Sequence, residues 1–205
     1  ISNNSLGNRG PNGVFYLGVG TIIENGVFNK NQLRTSCLFS NNRTSPNLIL
    51  NNLTFMDEIY GQGLIFIEPT YVRDSSYNGL IYITLVINNC KFLNINSVSI
   101  TPLINSSSPF LMMTDNIFTN ISTQGSFLNY QPPEQLFIGN SRNRSVEMEH
   151  RIYGNYSYIL QEFDYVFNND LCQTAPQGCY FALISNNIVV DFQSSRADTF
   201  ASMGS

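Results

Sequence analysis

The chain has 205 residues, a net charge of −4 and only 12% charged residues, two of them lysine (Lys30 and Lys91). That length fits one domain, and charge so sparse offers no basic stripe, which excludes nucleic acid as an expected partner. No stretch reaches the roughly 20 apolar residues of a membrane-spanning helix, so no span is expected in this chain.

Residues 1–13 are polar and glycine-rich and read as an N-terminal arm. From Val14 an apolar strand leads to Asn25, then Val27 and Phe28, and a short strand follows at 37–39. The second unit runs through 48–50 to a corner at Asn52 and to Phe55, with a strand at 64–67. Residues 68–79 read as an inserted turn closed by an Asn-Gly pair. The third unit holds Asn89 and Phe92, followed by an expected strand at 98–104. The fourth holds Asp115 and Phe118, followed by 126–130. A fifth is expected at 136–138 with Asn140 at its corner, and a last at 180–184 with Asn187 and Val190. Residues 147–178 are a large insertion, and 193–205 are a polar tail.

Corners at 25, 52, 89, 115, 140 and 187 imply a base step near 26 residues, interrupted by insertions. Fixed-period self-similarity of this kind marks a solenoid, in which each unit packs only on its neighbours. Asparagine, 28 of 205 residues, suits such corners because it tolerates left-handed backbone and bonds main chain. Side chains that alternate in and out along strands would stack Phe28, Phe55, Phe92 and Phe118 inside, and corner amides could stack on each other. The expected fold is therefore all-β: a right-handed parallel β-helix over residues 14–192.

The repeats LILNNLTFMD and LVINNCKFLN resemble those of the pectin-lyase-like right-handed parallel β-helix superfamily. Asn-rich repeats of this kind also occur in large surface proteins of ciliates and other protists. Many such relatives cleave polysaccharides, so the resemblance raises an enzymatic expectation. The polygalacturonase-like set (N-T-D, an Asp pair, G-H-G, R-I-K) is missing from this sequence, as are an acidic calcium cluster and the methylesterase motifs. Inverting hydrolysis needs two carboxyls about 6.5–9.5 Å apart, and neither Asp115 nor Asp191 has a partner within its unit. The expectation is a non-enzyme without a cofactor.

Smaller constellations read blandly. His150 and Arg151 could supply a base and an anion contact, but they have no companion at catalytic spacing and read as a surface loop. Residues 164–170, DYVFNND, offer oxygen ligands without the glycine or bidentate Glu of a calcium loop. Cys172 and Cys179 flank a Pro- and Gly-containing loop suited to a disulfide. Cys37 and Cys90 fall on different walls, too far apart to bridge, and read as buried thiols. Met112, Met113 and Phe110 read as core with one outward residue.

Seven N-x-S/T sequons, at Asn3, Asn42, Asn52, Asn105, Asn120, Asn143 and Asn155, make N-linked glycans expected partners of a secreted or cell-surface protein. Asn42, Asn105 and Asn155 stand out because they fall in turns or the insertion. The insertion carries Tyr153, Tyr156, Tyr158, Phe163, Tyr165 and Phe167, an aromatic density typical of interfaces. The function expected from all this is an extracellular scaffold in a larger surface or filamentous assembly. Its partners would be other subunits or further rungs of the same polypeptide. A lectin-like module is the alternative. The opening at Ile1 rather than Met is read as processing or as part of a longer protein.

Overall fold

The computed structural model describes residues 1–2, 5–6, 15–17, 21–33, 37–41, 47–67, 84–107, 110–131, 181–195 and 201–203. Among these residues every regular element is a strand, and the strands form three parallel sheets. Two short strands come first, β1 (Ser5–Leu6) and β2 (Phe15–Leu17). The first repeat contains β3 (Thr21–Glu24), β4 (Val27–Asn29), β5 (Gln32–Leu33) and β6 (Phe39–Asn41). The second contains β7 (Asn47–Asn51), β8 (Thr54–Tyr60) and β9 (Ile65–Ile67). The third contains β10 (Thr84–Asn88), β11 (Lys91–Ser97) and β12 (Ile104–Ser106). The fourth contains β13 (Phe110–Thr114), β14 (Ile117–Thr123) and β15 (Leu128–Tyr130). The last contains β16 (Phe181–Ser185), β17 (Ile188–Ser194) and β18 (Ala201–Met203).

Each repeat visits the three sheets in the same order. The first sheet runs β1-β5-β8-β11-β14-β17, with β4 also on β8. The second runs β16-β13-β10-β7-β3 and the third β18-β15-β12-β9-β6-β2. This arrangement is compatible with a parallel β-helix.

Two corner residues per repeat adopt left-handed backbone. The first set is Asn25, Asn52, Asn89, Asp115 and Asn186, and the second is Lys30, Asp57, Asn94, Asn120 and Asp191, all with φ between 50° and 57°. Asn and Asp accept this conformation most readily among residues with a Cβ. The corner N–H groups stay paired across repeats: Asn25 to the Asn51 carbonyl, Asn52 to Asn88, Asn89 to Thr114 and Asp115 to Ser185. Gly63, at φ 87°, lies where a Cβ would collide with the Pro102 carbonyl oxygen, so close backbone approach dictates glycine there.

Between the sheets lies an apolar core. Phe28, Phe55, Phe92 and Phe118 form one column, with consecutive ring centroids 4.8, 4.9 and 4.6 Å apart and nearly parallel planes. Those intervals match the spacing of paired strands, so backbone pairing and ring stacking satisfy the same geometry. Phe39 and Phe127 meet the column edge-on. The second-sheet strands differ from the others. Leu48, Leu50, Leu85, Ile87, Leu111 and Met113 join the core, whereas the aligned residues between them, Ile49, Val86 and Met112, lie on the opposite face. These too are buried. Shielding on both faces explains why these strands read as unbroken apolar runs rather than alternating ones.

The sequence reading needs four corrections. The last left-handed corner is Asn186, not Asn187, whose side chain turns toward the core side of the corner and bonds Asn116. The expected fifth unit at 136–138 with Asn140 lies outside the described residues and does not intervene between the described fourth and last repeats. The strands β13, β14 and β15 pair directly with β16, β17 and β18, a corner step of 71 residues against 27, 37 and 26 between the earlier corners. The expected strand at 98–104 is a bend instead, with β12 beginning only at Ile104. Pro102 there has no N–H to donate to a ladder. Finally, the arm and the tail are not mere appendages, for β1 pairs with β5 and β18 with β15. The expected insertions at 68–79 and 147–178 lie outside the described residues.

Candidate assembly surface

The last repeat is built like the others but, among the described residues, has a neighbouring repeat on one side only. Val189 pairs with Phe118 and occupies the aromatic column. It is 37% exposed, whereas Phe118 is 0% exposed. Phe192 aligns with the buried Ile121 and is only partly buried. Ile184, Ile188 and Val190 are exposed beside them. Among the described residues β16, β17 and β18 each end their sheet, so each presents there a backbone edge of the kind that templates further pairing.

At the opposite end of the described repeats the first sheet carries added chain, while β3 and β2 end the other two. Ser2 bridges to Asn29, the Asn29 N–H donates to the Ile1 carbonyl, and β1 lies on β5. Phe28 below is buried.

Side-chain bonds link the repeats on the outside. Asn52 Nδ2 donates to Asn25 Oδ1 at 2.7 Å and Asn89 Nδ2 to Asn52 Oδ1 at 3.4 Å. Asn94 Nδ2 donates to Asp57 Oδ1 at 2.8 Å and Asn120 Nδ2 to Asn94 Oδ1 at 2.9 Å. At the inner side of the first corner, Asn116 Oδ1 accepts from the Cys90 N–H while its Nδ2 donates to the Ile87 carbonyl and to Asn187 Oδ1.

A buried carboxyl was not foreseen from the sequence. Glu58 is fully buried, its Oε1 accepting from the Asn31 N–H and Nδ2 and its Oε2 from the Tyr60 hydroxyl. Burial raises its pKa above the ordinary value, against the lowering effect of those donors. Burial, with Glu58 beside it, also raises the Tyr60 phenol. The sequence offered no signal for it, since the acid belongs to no motif.

A groove of about 410 Å³ lies where β11, β14 and β17 bend toward the third sheet. Asn96, Ser122, Thr123, Gln193 and Ser194 are among its lining residues, and no lining residue is charged. Ser97 Oγ beside it is buried without a hydrogen-bond partner.

Of the residues singled out in the sequence, Asp115 and Asp191 are exposed corner residues in separate columns. Among the described residues, no group of three His, Cys, Asp or Glu could hold a metal ion. Cys37 and Cys90 are buried free thiols, pushed up to about 11 by desolvation. Asn52 and Asn120 use their Nδ2 in the columns above, while Asn105 accepts through Oδ1 from Asn129 Nδ2. The sites Asn3, Asn42, Asn143 and Asn155 lie outside the described residues. So do Cys172, Cys179, His150, Arg151, residues 164–170 and the aromatics Tyr153, Tyr156, Tyr158, Phe163, Tyr165 and Phe167. No described helix is long and apolar enough to cross a membrane. With this geometry in hand, comparison with known proteins finds no matching family model, no matching curated protein and no matching solved structure.

Proposed function

We propose that the chain is a right-handed parallel β-helix that serves as a non-catalytic extracellular scaffold within a larger surface or filamentous assembly. The single observation that carries this reading is Val189, an inward residue of an otherwise sealed column, left 37% exposed at the end of three parallel sheets. Such an end favours further pairing in the same direction, whether with subunits or with more rungs. Secretion and N-glycosylation rest on the sequons. Asn105 is the best of the three described, because sugar attachment needs the Nδ2 that Asn52 and Asn120 commit to their columns.

Sedimentation velocity of the glycosylated protein tests the reading. Assembly predicts species far above 23.1 kDa that dissociate in a Val189→Lys variant. A stable monomer at all concentrations contradicts it. A second reading is glycan binding in the groove near Asn96, Ser122 and Gln193, favoured by its uncharged amides and hydroxyls. It predicts a monomer that binds a glycan array and loses binding on Gln193→Ala.

A further inference from the structure

The cross-repeat side-chain bonds on the outside share one direction. Asn52 donates to Asn25, Asn89 to Asn52, Asn94 to Asp57 and Asn120 to Asn94. The same holds beside the first corner, where Asn88 donates to Asn51 and Thr114 to Asn88, and in the third sheet, where Asn129 donates to Asn105. In every one of these bonds the donor belongs to the later repeat. Buried or partly buried bonds inside the coil run the other way, from Asn116 to Asn187 and from Asn31 to Glu58.

Asn186 and Asp191 hold the last positions of the two left-handed columns, and both are exposed. Ionised Asp191 has acceptors only, so it cannot donate back to Asn120 as Asn120 does to Asn94. In its column it holds a position equivalent to that of Asp57, which accepts from Asn94 of the next repeat. The interior beside it asks for apolar partners above Val189 and Phe192. Continuity with the interface between successive repeats thus specifies both the backbone direction and the side chains of an incoming segment.

We propose that this end docks a strand–corner–strand segment of another polypeptide carrying a side-chain donor, an amide or a cation, at both left-handed corners, stacked on Asn186 and Asp191. The proposal rests on the assembly reading and adds its selectivity: a segment with Asp or Glu at the second corner is refused by like charge on Asp191.

The test uses the intact chain and a labelled peptide of sequence TLVINNCKFLNINS, the 84–97 segment, which offers Asn at both corners. Fluorescence anisotropy is expected to show saturable binding. Asp191→Lys is expected to weaken it about tenfold, and a peptide with Asn94→Asp is expected to bind that variant better than the native chain. The variant should keep its fold, since Lys30 occupies the same column. Equal affinities across this exchange would overturn the donor rule while leaving assembly, read separately by sedimentation, intact. Absence of peptide binding to the native chain would also overturn it. So would assembly that persists undiminished in the Asp191→Lys variant, because the end would then dock without regard to the residue at this corner.

Discussion

The third and the last repeats share one plan and differ in their surroundings. In the third, Phe92 lies between Phe55 and Phe118, and its strand β11 has a partner on each side. In the last, Val189 holds the same column position, but among the described residues β17 has a partner only in β14. The residue types are equally apolar, and the burial is not. A repeat of this kind draws its stability from two neighbours, so the outermost one keeps only part of it. Function, on this view, resides in the deficit.

The comparison is broken most directly by truncating the column at each place. Phe92→Ala should cost about 3–5 kcal/mol, because the hole opens inside a sealed stack. Val189→Ala should cost less than about 1 kcal/mol, because its side chain is already partly solvated. Urea unfolding of the two variants reads the contrast, and equal losses would mean that the last repeat is covered.

The first two repeats make a second contrast through the buried Glu58. Its folded pKa is raised above the usual value near 4.5, so the folded chain holds the proton more tightly than the unfolded chain. The stability this confers is complete below about pH 4.5 and declines as pH rises through the folded value. Glu58→Gln should flatten that decline while keeping an acceptor for Asn31. The midpoint of urea unfolding measured from pH 4 to pH 8 shows the difference. A native protein whose stability rises across that range through Glu58 would contradict the assignment.

The smallest effect belongs to Lys30, alone in its column in lacking a short amide or carboxylate side chain. Left-handed backbone costs a long side chain roughly 1 kcal/mol. Lys30→Asn should recover part of that, by about 0.5 kcal/mol, visible as a small upward shift of the unfolding midpoint.

Much of this plan was legible in the sequence because its chemistry is restrictive. Few residues accept left-handed corners, so Asn25, Asn52, Asn89 and Asp115 marked them, and Phe28, Phe55, Phe92 and Phe118 marked the column three residues on. The last corner was misplaced by one for the same reason. In the pairs at 51–52 and 88–89 the second Asn is left-handed, but at 186–187 it is the first. Asn187 instead serves an inner bond that no local pattern encodes. The repeat expected at Asn140 came from a short apolar run, and only the pairing of β13 with β16 shows the step that passes over it. Glu58 escaped notice because burial of an acid depends on Asn31 and Tyr60 meeting it across repeats. The open end depends likewise on what lies beside β17, a property of neighbours rather than of residues.

Hydrogen exchange followed by mass spectrometry tests the central claim, that interior repeats are sealed and the last is open. Amides of β11 (Lys91–Ser97) and β17 (Ile188–Ser194) belong to one sheet and one repeat position. In dilute protein, the account predicts exchange at least about a hundredfold faster in β17 than in β11. Equal, strong protection of both strands in the dilute monomer would contradict it.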